Sequence, residues 1–370
     1  MLTNPIIEYE NLRRTNASLF EAYKEELAEF LDSGWFVLGK GVETFEQQFA
    51  QYCQAQHCAG VASGLDALTL AIDACGFAKG AEIIVPSNTY IATIMAVVRN
   101  GLSPVLVEPD INTYNIDPEQ IASAITEKTK AILVVHLYGK ACDMAPIKQL
   151  AQQHNLTIIE DVAQAQGAKY QGQITGSFGI GCHSFYPTKN LGALGDGGAI
   201  TSSDSAFISK IKQLRNYGSN IKYHNDVLGY NSRLDELQAR FLSKKLTILD
   251  EINAHKRRLA QVYFDVLSDE YIKPQVDQNY YDVFHIFTIR HPKRDAIKDY
   301  LRQQNIHTEI HYPIPPHRQK AMQGVIKGVT QGSYPVSEEI HATTLSLPIA
   351  FFHTEAQIQQ VAETLNRWLK

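Results

Sequence analysis

From Cys58 onward the chain alternates short, unbroken apolar runs with stretches of helical periodicity, and this alternation constrains the fold more than any other feature. Strand-like runs fall at Cys58–Ala62, Glu82–Val85, Pro104–Val107, Ala131–His136 and Thr157–Glu160. Helical patterns separate them at Asp66–Cys75, Tyr90–Arg99, Pro118–Ile125 and Ala145–His154. A strand that is apolar on both faces needs cover on both faces. Intervening helices of about ten residues supply that cover as crossover connections. The pattern predicts an α/β fold with a mostly parallel sheet flanked by helices.

An amphipathic stretch, Leu19 to Leu31, precedes this region, and two short strands, His183–Tyr186 and Gly198–Thr201, bracket a glycine-rich segment after it. A helical pattern free of Pro and Gly then runs from Leu234 to Leu267. A helix of that length bridges two bodies rather than sitting in one core. It places a boundary near residue 245, with a large domain over 1–245 and a smaller C-terminal α/β domain over 246–370. In the smaller domain Val283–Arg290 reads as a strand, Lys293–Gln304 as a helix and Glu355–Leu369 as a closing helix.

Composition mainly excludes. With 370 residues, 44% of them hydrophobic, the chain can bury a sizeable core. A net charge of −5 without a basic stripe gives no electrostatic case for nucleic acid. Cys53, Cys58, Cys75, Cys142 and Cys182 form no CxxC pair and no zinc quartet, so they read as reduced thiols. No apolar run approaches the roughly 18 residues of a membrane span. Met1 to Glu10 lacks the basic start and apolar run of a secretory signal, and a cytoplasmic protein is expected. Gly34-Trp35-Phe36-Val37-Leu38-Gly39-Lys40-Gly41 has GxxxxGK spacing, but Gly41 stands where a magnesium-binding Ser or Thr belongs, and no strand leads into it. The histidines show no HExxH, no GxSxG elbow is present, and the glycines from Gly192 to Gly198 miss the GxGxxG spacing. No metal site is expected.

Four constellations carry chemistry. Asp161 closes the run Ile158-Ile159-Glu160-Asp161, at the strand end where ligands bind in open α/β sheets. Lys189 follows 28 residues later, in Ser184-Phe185-Tyr186-Pro187-Thr188-Lys189-Asn190. A lysine amine together with a buried carboxylate is what pyridoxal phosphate (PLP) requires: the amine bonds the cofactor's aldehyde, and the carboxylate keeps the pyridine nitrogen protonated. Taken singly, Asp161 reads as a strand-end cap and Lys189 as a surface lysine. Ala62-Ser63-Gly64-Leu65-Asp66 combines a strand end, a tight turn and a helix start, whose amides suit a phosphate. Any strand-to-helix loop can carry Ser-Gly, however. Tyr90, after Pro86-Ser87-Asn88-Thr89, is placed either over a planar ring or in an ordinary core. Gly229-Tyr230-Asn231-Ser232-Arg233 is too polar for a simple turn before the long helix.

In this order and spacing the pieces resemble the DegT/DnrJ/EryC1/StrS family of PLP-dependent sugar aminotransferases, from about Val37 to the C-terminus. The stretches that carry the resemblance are Ser63–Leu68, Pro86–Ala92, Glu160–Ala165, Ser184–Gly198, Gly229–Ala239, His311–Pro316 and Leu345–Pro348. The resemblance implies a fold-type I aminotransferase in which Lys189 holds PLP and Asp161 pairs with its pyridine nitrogen. Gln164 would contact the ring hydroxyl, Tyr90 would cover the ring, and Gly64, Leu65 and Ser184 would bind the phosphate. Asn231 would reach the cofactor phosphate of a second copy, implying a homodimer with shared sites, while Tyr217, His311 and Tyr312 would line the sugar pocket. Related dehydratases carry a histidine where this chain has Lys189, so transamination is implied. Ser-Gly-Leu-Asp-Ala-Leu and His-Tyr-Pro-Ile-Pro-Pro-His resemble members acting at C3 of dTDP-linked 3-keto-6-deoxyhexoses, with an amino acid, L-glutamate, as donor. The alternatives are a C4 aminotransferase, a PLP lyase or desulfurase using Cys182, and a non-catalytic PLP or sugar sensor.

Overall fold

A computed structural model describes residues 5–326 and 332–370. Two helices, α1 (Phe20–Ser33) and α2 (Lys40–Tyr52), lead into β1 (His57–Val61). Then α3 (Gly64–Cys75), β2 (Glu82–Pro86), α4 (Ile91–Arg99), β3 (Ser103–Val107), α5 (Pro118–Ala124), β4 (Thr129–Val135), α6 (Met144–Gln153) and β5 (Thr157–Asp161) alternate as the sequence pattern predicts. The strands β6 (Ile180–Ser184) and β7 (Gly198–Ser202) complete a seven-stranded sheet. Its order is β1-β7-β6-β5-β4-β2-β3, and only β7 runs antiparallel to its neighbours. The residues that follow β1, β2, β4, β5 and β6 therefore gather along one edge. That edge carries Ser63, Tyr90, Tyr138, Asp161 and Lys189.

Consecutive carboxylates at the end of β5 face opposite ways, because strand side chains alternate. Glu160 is fully buried and bonds His136 Nε2 at 3.0 Å. Its two oxygens also accept the amides of Gly176 at 2.7 Å and of Phe178 and Gly179 at 2.8 Å. His136 Nδ1 in turn accepts the Cys142 amide at 3.0 Å, so its Nε2 carries the proton given to Glu160. This closed network pins the loop after β5 beneath the edge and leaves Asp161 pointing the other way.

The GxxxxGK segment is also accounted for. Gly39, Gly41 and Val42 direct their amides at the N-terminus of α2 onto the Glu236 carboxylate, at 2.9, 2.5 and 3.0 Å. A side-chain anion fills the place a phosphate would take.

Two predicted elements are corrected. The helix expected over Leu234–Leu267 is two helices, α8 (Glu236–Leu246) and α9 (Leu249–Val266), with α7 (Ser205–Leu214) before them. At the break the Thr247 and Ile248 amides bond back three residues, to Lys244 and Lys245, and the Thr247 hydroxyl also takes the Lys244 carbonyl. A threonine hydroxyl that competes for a backbone carbonyl weakens the helix at that point. The break lets Leu242 and Leu249 join one core, with Phe45 and Phe185, while Leu259 and Tyr263 join another. The strand expected over Val283–Arg290 is only β8 (Phe287–Arg290). Val283 instead donates its amide to the Gly139 carbonyl at 2.9 Å, and Phe284 adopts a positive φ of 43°. These bonds draw the segment toward the sheet edge.

The second core gathers Ile7 with residues of α9, β8, α10 (Arg294–Gln303), β9 (Thr344–Leu347) and α12 (Glu355–Trp368), and α11 (Pro335–Thr343) precedes β9. β8 pairs antiparallel with β9. No helix among the described residues is long and apolar enough to cross a membrane.

Replacing Glu160 by alanine would strand the buried Gly176 amide, the part-buried Phe178 and Gly179 amides and the buried His136 proton. We expect Glu160→Ala to lower the unfolding free energy by at least about 3 kcal/mol, read from the urea midpoint. A loss below about 1 kcal/mol would show that water satisfies the loop equally well.

Candidate active site

Asp161 is 6% exposed. Its Oδ2 accepts the Thr93 hydroxyl at 2.9 Å and its Oδ1 the Ala163 amide at 3.1 Å. It forms no ion pair among the described residues, and burial raises its pKa, while the Ala163 and Thr93 hydrogen bonds and the Lys189 charge pull it back. A carboxylate withdrawn from water with only two neutral donors is costly to keep ionised. A protonated ring nitrogen is the partner that offsets this cost. Asp161 thus fits one half of the PLP requirement.

Lys189 lies across the edge from it. Burial pushes the amine's pKa down to about 8, against the pull of Asp161 in the other direction. Its Nζ stands 3.3 Å from Nε2 of His285. The neighbouring residue, Asn190, is buried and bonds Asn253 and the Val283 carbonyl, which fixes the backbone that carries Lys189.

The phosphate half also fits. Ser63 is the N-cap of α3, its hydroxyl accepting the Asp66 amide at 3.1 Å. Ser232 bonds both the Ala62 amide, at 3.2 Å, and the Asp66 carboxylate, at 2.8 Å, and so ties the loop to the segment before α8. A Cβ on Gly64 would stand 2.5 Å from the Ser184 Cβ, so only glycine lets the two loops close into a cradle. Leu65, in the first turn of α3, packs its side chain against the main core and leaves its amide at the helix start.

Gln164 is buried and held at both ends: its Oε1 takes the Tyr138 amide at 2.7 Å and its Nε2 donates to the Tyr312 hydroxyl at 2.8 Å, leaving one amide hydrogen. Tyr90 is 53% exposed, which excludes the ordinary-core reading. Its ring lies 5.1 Å from that of Tyr312. His311 bonds the Ser346 hydroxyl at 2.9 Å, and its carbonyl accepts the Tyr138 hydroxyl. Burial, and then the Lys189 charge, push the His311 pKa down to about 4. Burial pushes the Tyr312 phenol up, and Asp161 adds to the rise. A cleft of about 290 Å³ opens beside these groups, lined by Tyr9, Tyr186, Lys256, His285, Glu309 and His311 among others.

Lys189, Asp161, Gln164, Tyr90, His311 and Tyr312 thus share one end of the sheet, and Gly64 and Ser184 touch at its side. Tyr217 and Asn231 do not join them within one chain. Asn231 is exposed and bridges to Asn216, while Tyr217 is half exposed with the Arg233 guanidinium 5.6 Å from its ring. Sequence reasoning missed Thr93, Tyr138 and His285. Thr93 was within reach, one residue past the Pro86–Ala92 stretch. Nothing in a pattern read as a strand singles out His285.

A family model described as the DegT/DnrJ/EryC1/StrS aminotransferase family matches residues 18–366. A protein of Aneurinibacillus thermoaerophilus named dTDP-3-amino-3,6-dideoxy-alpha-D-galactopyranose transaminase is 50% identical over 365 residues, covering 98% of this chain and 99% of its own. A UDP-N-acetyl-3-dehydro-alpha-D-glucosamine 3-aminotransferase of Acidithiobacillus ferrooxidans is 43% identical, with 100% of both chains covered. Among solved structures, S. venezuelae DesV superposes with a TM-score of 0.97 at 40% identity, covering 99% of each chain.

Removing the buried amine should stabilise the fold at the expense of chemistry. A lysine whose pKa falls from 10.5 to about 8 on folding destabilises the native state fully below about pH 8, and this cost is relieved as pH rises toward 10.5. We expect cofactor-free Lys189→Met to be more stable than the parent by about 2 kcal/mol at pH 7, with the gain shrinking above pH 8. Thermal melts across that range check it, and a pH-independent difference would contradict it.

Proposed function

The chain belongs to the DegT/DnrJ/EryC1/StrS aminotransferase family, and from that premise we propose that it transfers an amino group from L-glutamate to C3 of a dTDP-linked 3-keto-6-deoxyhexose. It is a PLP-dependent nucleotide-sugar aminotransferase. The observation that carries the finer reading is the 50% identity, spread over 98% of the chain, to the Aneurinibacillus dTDP-sugar transaminase. The Ser-Gly-Leu-Asp-Ala-Leu and His-Tyr-Pro-Ile-Pro-Pro-His stretches support it. A second reading, a UDP-linked 3-keto sugar, is favoured by the full-length likeness to the Acidithiobacillus enzyme. Desulfurase chemistry has no support: Cys182 is 1% exposed inside β6, and burial pushes its thiol well above the ordinary range.

In this reading Lys189 bonds PLP, Asp161 keeps the pyridine nitrogen protonated and Gln164 contacts the ring hydroxyl. Tyr90 covers the ring, and Gly64, Leu65 and Ser184 receive the phosphate at the start of α3. Bound PLP supplies an electron-accepting ring that stabilises negative charge at the carbon bearing the amino group. In the cofactor-free chain burial holds the Lys189 pKa near 8, so that a freed amine can accept a proton and return it close to neutral pH. Asp161, shut away from water, keeps its charge directed at one partner. Tyr217, His311 and Tyr312 form the sugar side.

The shared-site homodimer belongs to the same reading. The segment holding Tyr217 and Asn231 leaves Tyr223 86% and Leu228 96% exposed, apolar surface suited to a second copy. Asn231 then serves the phosphate site of that copy. We place the division between the large (1–245) and small (246–370) domains at the end of α8, just before the turn to α9.

Lys189→Ala should abolish turnover while the protein still folds and retains PLP non-covalently. Asp161→Asn should lower kcat by at least about a hundredfold. Near-normal turnover in either variant would sink the assignment. For the acceptor, kcat/KM on the dTDP-linked 3-keto-6-deoxy sugar should exceed that on a UDP-linked 3-keto sugar by about a hundredfold. The reverse order would put the second reading in its place. Mixing inactive Lys189→Ala with weakened Asn231→Ala should regenerate about a quarter of the parental sites, since half of the dimers are mixed and each restores one site. No recovery on mixing would show that Asn231 acts within its own chain or not at all.

A further inference from the structure

We infer that His285 is the positioning residue for Lys189, a neutral hydrogen-bond acceptor that anchors the amine and sets the direction from which it meets the cleft. The inference rests on Lys189 being the PLP lysine. His285 is 8% exposed and places Nε2 3.3 Å from Lys189 Nζ.

The position of His285 is built rather than incidental. A Cβ on Gly139 would lie 2.7 Å from the His285 amide nitrogen and 2.8 Å from that of Phe284, so a residue with a side chain would push the segment away. Gly139 accepts the Val283 amide at 2.9 Å. The His285 carbonyl takes Lys256 Nζ at 2.9 Å, and the same ammonium bonds Asn190 Oδ1 at 2.9 Å. Asn190 also donates to the Val283 carbonyl at 3.1 Å. Lys189 and His285, 96 residues apart, therefore sit on two segments clamped to each other on both sides of the contact.

Burial, and then the charges of Lys189 and Lys256, hold His285 well below the ordinary histidine range, so the ring stays neutral. A neutral ring can accept from Nζ at Nε2 with its proton on Nδ1, which has no hydrogen-bond partner among the described residues. The titratable groups facing this pair are Asp161 from the end of β5, Lys256 from α9 and His311 from the segment before α11. None of them stands between Nζ and Nε2.

An acceptor binds an ammonium more strongly than an amine, so removing it should lower the Lys189 pKa further. The test follows the pH dependence of cyanate labelling of Lys189 in the full-length protein freed of cofactor, read by peptide mass spectrometry. His285→Phe keeps a ring but loses the nitrogen, and should move the labelling midpoint down by about one pH unit. His285→Gln places an amide oxygen near Nε2 and should bring the midpoint back. In the PLP-loaded enzyme, His285→Phe should lose about tenfold or more in kcat with an unchanged KM for glutamate, and His285→Gln should stay within about threefold. His285→Leu carries the same expectation if the Phe variant does not fold. An unmoved midpoint in His285→Phe, or an equal drop in the Phe and Gln variants, overturns the inference, the second by marking a packing effect. The labelling readout needs no cofactor, so it can fail while the PLP reading stands, and the reverse.

Discussion

A carboxylate and an amine brought out of water at the same end of a parallel sheet form the constraint on which the rest of the structure depends. Among the described residues Asp161 has two neutral donors and no ion pair, and the Lys189 amine has a single nitrogen as hydrogen-bond partner. Neither arrangement is favourable for folding. In a low-dielectric setting an incompletely paired charge is costly, and the fold must supply the difference elsewhere. It does so in the sheet, whose strands are buried almost throughout, and in the closed Glu160 network one residue from Asp161. Adjacent residues of β5 thus divide the labour: Glu160 faces its four partners and stabilises the loop, while Asp161 faces the other way, toward Thr93 and the Ala163 amide.

The segment before β8 takes part through its backbone, and through the ion pair of Asp282 with Lys140 at 3.2 Å. Val283 and Phe284 leave the strand they would otherwise extend, because the Gly139 carbonyl takes the Val283 amide and Asn190 donates to the Val283 carbonyl. The positive φ at Phe284 is part of that arrangement, a local cost held in place by surrounding hydrogen bonds. The effect is to bring a histidine from one part of the chain against a lysine from another. Four residues of predicted strand become the means of joining the cleft's two sides.

Helix starts show how one local pattern diverges with context. At α2 the amides of Gly39, Gly41 and Val42 are taken by Glu236, so the GxxxxGK segment is a closed structural joint. At α3 the corresponding end meets Ser184 instead. Both sequences are glycine-rich turns before a helix. What separates them is which distant side chain arrives.

The sequence by itself determined the sheet, and much of its edge, because unbroken apolar strands and the helices between them are local patterns with a local physical cause. Asp161 and Lys189 were legible as positions for the same reason, since one closes and the other follows a recognisable strand. Tyr90 and the Ser63–Leu65 turn were legible only as one option among several. Their exposure and their closure against Tyr312 and Ser184 come from the fold. The break at Thr247–Ile248, the shortened β8 and the arrival of His285 were decided by tertiary structure alone. Each depends on which core a leucine joins or which distant carbonyl an amide finds, and such pairings between residues far apart in the chain leave no period in the sequence to read.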